Sequence, residues 1–285
     1  MADSRAVVVA VDGSQGSSRA VEWAVAEARN RRLPVVLVHC VPRLLVEDRA
    51  PTARDQLEQV DRVLRDAVDR AAHAPEVETS IRRIEPAGLD VGSSILEAAG
   101  PEDILVVGAR GHSRLGGLLL GSVSQYAVRH AAGPVVVVRR ARDLAATRTV
   151  VGFDESPGAH LAMDWAMSRS ASTGGDMTAL RSWRAAALSG AGNVLPLPED
   201  AGLVQERERQ RLEAELEPWR EKYPGVSLLA EAVPGHPGHL LAGASQHAAL
   251  LVVGSRGRGT LTETLLGSVS QAVLHHAQCP VAVLR

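Results

Sequence analysis

Aromatic side chains are nearly missing from this chain: one Phe, two Tyr and four Trp in 285 residues. Its cores must therefore be packed from Val, Leu, Ala and Ile. Lysine occurs once, at Lys222, so almost all positive charge is arginine, and the net charge of −2 supplies no basic face of the kind nucleic acid demands. Cysteine occurs twice, at Cys40 and Cys279, in non-equivalent places of the two halves. That excludes a disulfide framework and fits a reducing compartment. No apolar run approaches the ~18 residues of a membrane span. The opening MADSRAVVVAVDGS enters a strand-like run directly, without a signal-peptide pattern. These absences lead to the expectation of a soluble, cytoplasmic protein with no nucleic-acid or membrane partner. Missing too are a G-K-[ST] phosphate loop, a Ser-His-Asp order, paired catalytic carboxylates and Cys/His metal spacing.

What is present is a duplication. LLGSVSQ occurs at 119–125 and again at 265–271, and from Gly108 to Arg139 and Gly254 to Arg285, 17 of 32 aligned positions are identical without a gap. Each copy closes the pattern G-x2-G-x9-G-S: Gly108, Gly111, Gly121 and Ser122 in the first, Gly254, Gly257, Gly267 and Ser268 in the second. Length alone suggests about two domains, and the repeat makes the cut specific. The stretch 141–148 has no apolar period and reads as the linker, which sets domains at 1–141 and 149–285.

Within the first half, AVVVAV (6–11), VVLVHCV (35–41) and ILVVG (104–108) are unbroken apolar runs, as in strands covered on both faces. PVVVVRR (134–140) supplies a fifth strand, and alternation over 77–84 suggests a more exposed third one. Helices are expected after Ser17 and Ser18, with Ala20, Val21, Ala24, Val25 and Ala28 inward; over 52–72, with Leu57, Val60, Leu64, Val68 and Ala71 inward; over 95–99; and from Gly121 to about 132. The second half repeats the order through 150–156, 177–183, a long helix carrying Val204, Leu212, Leu216 and Trp219, then 226–233, 250–254 and 280–284. Strands alternating with helices imply an α/β fold of parallel β-α-β units.

The glycine pattern lies between a buried strand and a helix, at the carboxyl edge where open α/β sheets bind ligands. Glycines there allow positive φ and close approach of amides to an anion, and the helix start adds unpaired N–H groups. Arg110 and Arg256 sit inside the loops. Asp12 and Asp154 end the first strands at the same edge; each carboxylate accepts a ribose hydroxyl or holds Mg²⁺, or else makes a turn. Their neighbours Gly13-Ser14 and Glu155-Ser156 are counted with the site. Val41 and Trp183, at the ends of the second strands, flank the cleft, where backbone groups can read an adenine edge. His236-Pro237-Gly238-His239 matches a nucleotidyl-transferase signature but follows the third strand instead of the first, so adenylyl transfer is set aside.

With the glycine pattern after the fourth strand and D-x-S after the first, the chain resembles the universal stress protein family, in its tandem ATP-binding form, over essentially its whole length. The resemblance implies a five-stranded parallel sheet of order 3-2-1-4-5 in each half with helices on both faces, and pairing of Val135–Val138 with Val281–Leu284 as an intrachain pseudo-dimer. It implies that Asp12 and Asp154 contact ribose or Mg²⁺, and that Val41 and Trp183 bond adenine through the backbone. Gly108, Gly111, Gly121, Ser122 and Val123, with Gly254, Gly257, Gly267, Ser268 and Val269, would hold ribose and phosphates. The implied function is a nucleotide-dependent stress-response regulator with an unidentified protein partner and a homodimer of tandem chains. A slow Mg-dependent ATP hydrolase or phosphotransferase, and a nucleotide-free scaffold, are the rival expectations. Two departures make the sites unequal: Asp90 replaces a proline near the third strand, and Glu155 stands where the first half has Gly13.

Overall fold

A computed structural model describes residues 5–41, 53–85, 90–111, 120–139, 146–183, 198–257 and 266–285. The chain divides into two compact units. The first runs β1 (Val7–Ala10), α1 (Gln15–Arg31), β2 (Val35–Cys40), α2 (Ala53–Ala71), β3 (Thr79–Ile84), α3 (Val91–Glu97), β4 (Ile104–Gly108), α4 (Ser122–His130), β5 (Val135–Val138). The second runs β6 (Thr149–Gly152), α5 (Pro157–Thr173), β7 (Met177–Trp183), α6 (Pro198–Lys222), β8 (Leu228–Pro234), α7 (Pro237–Ala244), β9 (Leu250–Gly254), α8 (Ser268–His276), β10 (Val281–Leu284).

All strand pairs within a unit are parallel, in the orders β3-β2-β1-β4-β5 and β8-β7-β6-β9-β10. β1 pairs with β2 on one side (Val7 opposite Val35) and with β4 on the other (Val7 opposite Ile104). The connection therefore reverses direction at β1, which opens a crevice between the ends of β1 and β4. The central strands are buried on both faces; Val7, Val8 and Val9 are at most 1% exposed. α1 packs on β1, β4 and α2, while α3 packs on β2 and α4, so helices cover both faces. Among the described residues no helix is long and apolar enough to cross a membrane.

Several elements start where the apolar pattern did not place them, and side-chain caps explain why. α1 begins at Gln15 because Ser14, not Ser17 or Ser18, is its N-cap: Ser14 Oγ accepts from Ser17 N at 3.1 Å, and both later hydroxyls donate back to Ser14 O. α3 begins at Val91, four residues before the expected Ile95, because the Asp90 carboxylate accepts from the amides of Gly92 and Ser93. On α2 the buried stripe is Val60, Val63, Leu64, Ala67 and Ala71, and the expected Leu57 is 60% exposed. Val204 likewise lies outside the buried face of α6, which is Leu212, Leu216 and Trp219. The third strand starts at Thr79; Val77 is buried in the turn before it, its amide donated to Ala74 O.

Candidate functional site

Each unit holds one cavity at the β switch point, of about 170 Å³ in the first and about 350 Å³ in the second. Asp12, Ser14, Gly108, Arg110, Gly111, Gly121, Ser122 and Val123 line the first, and Asp154, Ser156, Gly254, Arg256, Gly257, Gly267, Ser268 and Val269 the second. Sixteen of the residues singled out by sequence thus come together, eight in each cavity. Gly13, Val41, Glu155 and Trp183 do not reach the lining.

The D-x-S segments build a turn and a cap in one stroke. Asp12 Oδ1 accepts from Ser14 N at 2.9 Å and Asp154 Oδ1 from Ser156 N at 3.1 Å. The intervening residue is left-handed in both, Gly13 at φ 83° and Glu155 at φ 64°. Ser14 and Ser156 then cap α1 and α5. The second carboxylate oxygen lies against the glycine loop. A Cβ built on Gly111 would stand 2.3 Å from Asp12 Oδ2, and one on Gly257 2.6 Å from Asp154 Oδ2.

Gly108, Gly111, Gly254 and Gly257 are there for close approach, and none of the six loop glycines adopts a positive φ. A Cβ on Gly108 would sit 2.6 Å from the backbone carbon of Gly16, and one on Gly254 would sit 2.6 Å from that of Gly158. The helix start thus leans directly on the strand end. Ser124 Oγ donates to Gly108 O at 2.6 Å and Ser270 Oγ to Gly254 O at 2.7 Å, tying α4 and α8 to the same point. Neither of these two helices has a side-chain cap: their N-cap residues are Gly121 and Gly267.

Four positions behave differently from the sequence expectation. The Val41 amide is donated to Ile84 O at 2.8 Å, and Trp183 O accepts from Gly235 N at 3.0 Å, so both extend the sheet ladder. Trp183 is 9% exposed and forms no wall of the cavity. Asp90 is engaged as the cap of α3. Glu155 turns into an ion network, 3.1 Å from Arg181 and 3.3 Å from Arg211, with Glu215 bonded to both arginines. Burial opposes the charge on Glu215, yet the Arg181 guanidinium holds its carboxyl below the usual range.

Other lining residues carried no sequence signal. His39 and Cys40 line the first cavity; the second has Ser182 at the place of Cys40 and Phe153 at that of Val11. Burial pushes the Cys40 thiol up. Phe153 lies edge-on to Trp219 with centroids 5.7 Å apart, and Arg181 stands 5.5 Å over its ring. His236 precedes α7 without a side-chain capping bond and lies beside His239 with ring centroids 5.1 Å apart, but only Pro237 of that stretch lines the cavity.

A doubly wound sheet with a glycine-lined crevice at its switch point, built twice in tandem, defines an α/β protein of two like units. The sequence profile of the universal stress protein family matches residues 4–139 and again 146–285, and the chain belongs to that family. A universal stress protein of Mycolicibacterium smegmatis is 32% identical over 294 residues, covering 98% of this chain and 96% of that protein. One from Mycobacterium tuberculosis is 33% identical over 293 residues, covering 98% and 96%. The crystal structure of a universal stress protein from Archaeoglobus fulgidus shares the fold, with a TM-score of 0.71 at 22% identity over 100% of this chain and 99% of that one.

Proposed function

We propose that the chain is a nucleotide-binding regulator of the stress response that takes ATP in each of its two cavities. The observation that carries this is one repeated contrast. In each unit the helix after the first strand is capped by a serine, whereas the helix at the far side of the crevice starts at a glycine with no side-chain cap. An uncapped helix start keeps amides and a partial positive charge available to an anion. Placed beside a glycine loop at a switch point, it suits a phosphate.

Lysine takes no part, since Lys222 ends α6 and stands 3.8 Å from Asp164. Amides, Arg110 or Arg256, and Mg²⁺ would neutralise the phosphates. No group of three or more His, Cys, Asp or Glu that could hold a metal occurs among the described residues. Mg²⁺ would therefore be held by Asp12 or Asp154 together with the phosphates, an arrangement that ion commonly adopts. The ion would supply charge neutralisation. A ligand here bridges the β1–α1 turn and the start of α4, so occupancy would stiffen the sheet edge and signal to a protein partner.

The test is to purify the protein without added nucleotide, denature it, and quantify what is released by ion-exchange chromatography. ATP is expected in the released fraction. No released nucleotide, together with no rise in Tm on adding millimolar ATP and Mg²⁺, would contradict the proposal.

A further inference from the structure

We infer that His39 makes the first cavity selective for a 6-aminopurine, by accepting a hydrogen bond from the exocyclic amine of the base; this rests on the nucleotide reading above. His39 is 8% exposed, and its Nδ1 stands 2.7 Å from Val11 O. A carbonyl oxygen only accepts, so Nδ1 carries the proton, and in the neutral ring Nε2 is left with a lone pair. Nε2 has no hydrogen-bond partner among the described residues, and the ring lines the cavity. Nε2 is not among the buried polar atoms that lack a partner, so it opens on the cavity, and a base that closed it off from solvent would have to supply a donor in its place.

The position in the cavity indicates which donor. The glycine loop and the start of α4 form the anion-seeking wall. The walls contributed by β1, β2 and α3 are Ala10, Cys40, Val91 and Ile95, which suit the flat apolar faces of a base, and His39 is the imidazole among them. Adenine offers an N–H₂ donor at its 6-position, whereas hypoxanthine offers an oxygen that would face the Nε2 lone pair. A site built to bond one group disfavours the analogue that lacks it, because the site's own polar atom is then left unpaired.

The second cavity lacks this device. The residue at the position of His39 is Arg181, engaged by Glu155 and Glu215 and absent from the lining. Ser182, at the position of Cys40, does line it, and a hydroxyl can donate or accept. The second cavity should therefore take 6-amino and 6-oxo purines alike.

Cys40 provides a reporter for the first cavity alone: it lines that cavity and is half-buried, while Cys279 is fully buried. The full chain is alkylated with N-ethylmaleimide under increasing ATP, ITP or 2′-deoxy-ATP, and modification is followed by intact mass, with equilibrium dialysis of each nucleotide in parallel. The wild type should be protected by ATP at concentrations about tenfold or more below those of ITP, the ratio set by one lost hydrogen bond to a buried group. His39→Asn retains an amide donor for Val11 O while deleting Nε2, and should bring that ratio close to one, leaving the 2′-deoxy ratio and dialysis binding at the second cavity unchanged. Equal protection of the wild type by ATP and ITP, an unchanged ratio in His39→Asn, or loss of ribose discrimination instead, would each overturn the inference while leaving nucleotide binding standing. No protection of Cys40 together with no ATP bound on dialysis would overturn both.

Discussion

The glycine loop contains two kinds of glycine, and alanine substitution should separate them. At Gly108 and Gly254 a new Cβ would meet backbone, 2.6 Å from Gly16 C and from Gly158 C. Contact requires roughly 3.4 Å or more, so a helix start and a strand end must part by most of an ångström. Overpacking of that kind costs about 1–3 kcal/mol per site. At Gly111 and Gly257 the Cβ would instead meet a carboxylate oxygen, 2.3 Å from Asp12 Oδ2 and 2.6 Å from Asp154 Oδ2. Asp12 can rotate away by giving up its bond from Ser14 N, and Asp154 by giving up those from Ser156 N and Ser156 Oγ, at about 1 kcal/mol for each bond. Each carboxylate then leaves the place from which it would meet ribose or Mg²⁺, and a charge-assisted bond is worth about 1.5–3 kcal/mol, or about 10- to 150-fold in affinity. The double variant Gly108→Ala/Gly254→Ala should thus lower Tm by about 3 °C or more. Gly111→Ala/Gly257→Ala should weaken ATP binding at least tenfold with a smaller thermal loss. Calorimetric melting and isothermal titration read the two quantities. ATP affinity within twofold of wild type in Gly111→Ala/Gly257→Ala would refute this assignment of roles.

Further expectations concern stability. Arg32 closes α1 in the left-handed region at φ 56°, where the equivalent residue after α5 is Gly174 at φ 68°. Arg32→Gly should relieve about 1 kcal/mol of strain, partly offset by a looser unfolded chain, and give a higher Tm or none lower. In the Arg181–Glu155–Glu215 network the folded-state pKa of Glu215 is depressed, so its stabilisation is present above the unfolded value of about 4.3 and is lost as pH falls through the folded value. Glu215→Gln should be less stable than wild type at pH 7 by about 1 kcal/mol, and urea melts should show the gap closing below about pH 4.

The strands were legible because burial on both faces leaves an unbroken apolar run, as in Val7–Ala10 and Ile104–Gly108. The cavity walls were legible through duplication, which marked Gly108 with Gly254 and Asp12 with Asp154. Helix starts were less so, since one side-chain bond sets them: Ser14 and Asp90 displaced α1 and α3 from the places their apolar periods suggested. Gly16 escaped notice because its reason is the carbonyl of Arg110, 2.2 Å from a Cβ there, a contact far away in sequence. His39 escaped notice because an apolar strand gives no sign that one of its ring nitrogens is tied to Val11 O and the other is not. Glu155 misled for the opposite reason: its charge suggested the ligand, while the arginines that claim it lie on β7 and α6.

If both switch-point cavities take nucleotide, isothermal titration of the full chain, stripped of bound nucleotide, with ATP and Mg²⁺ should saturate at two ATP per chain. A plateau of one, or no binding at millimolar ATP, would contradict a nucleotide in each cavity.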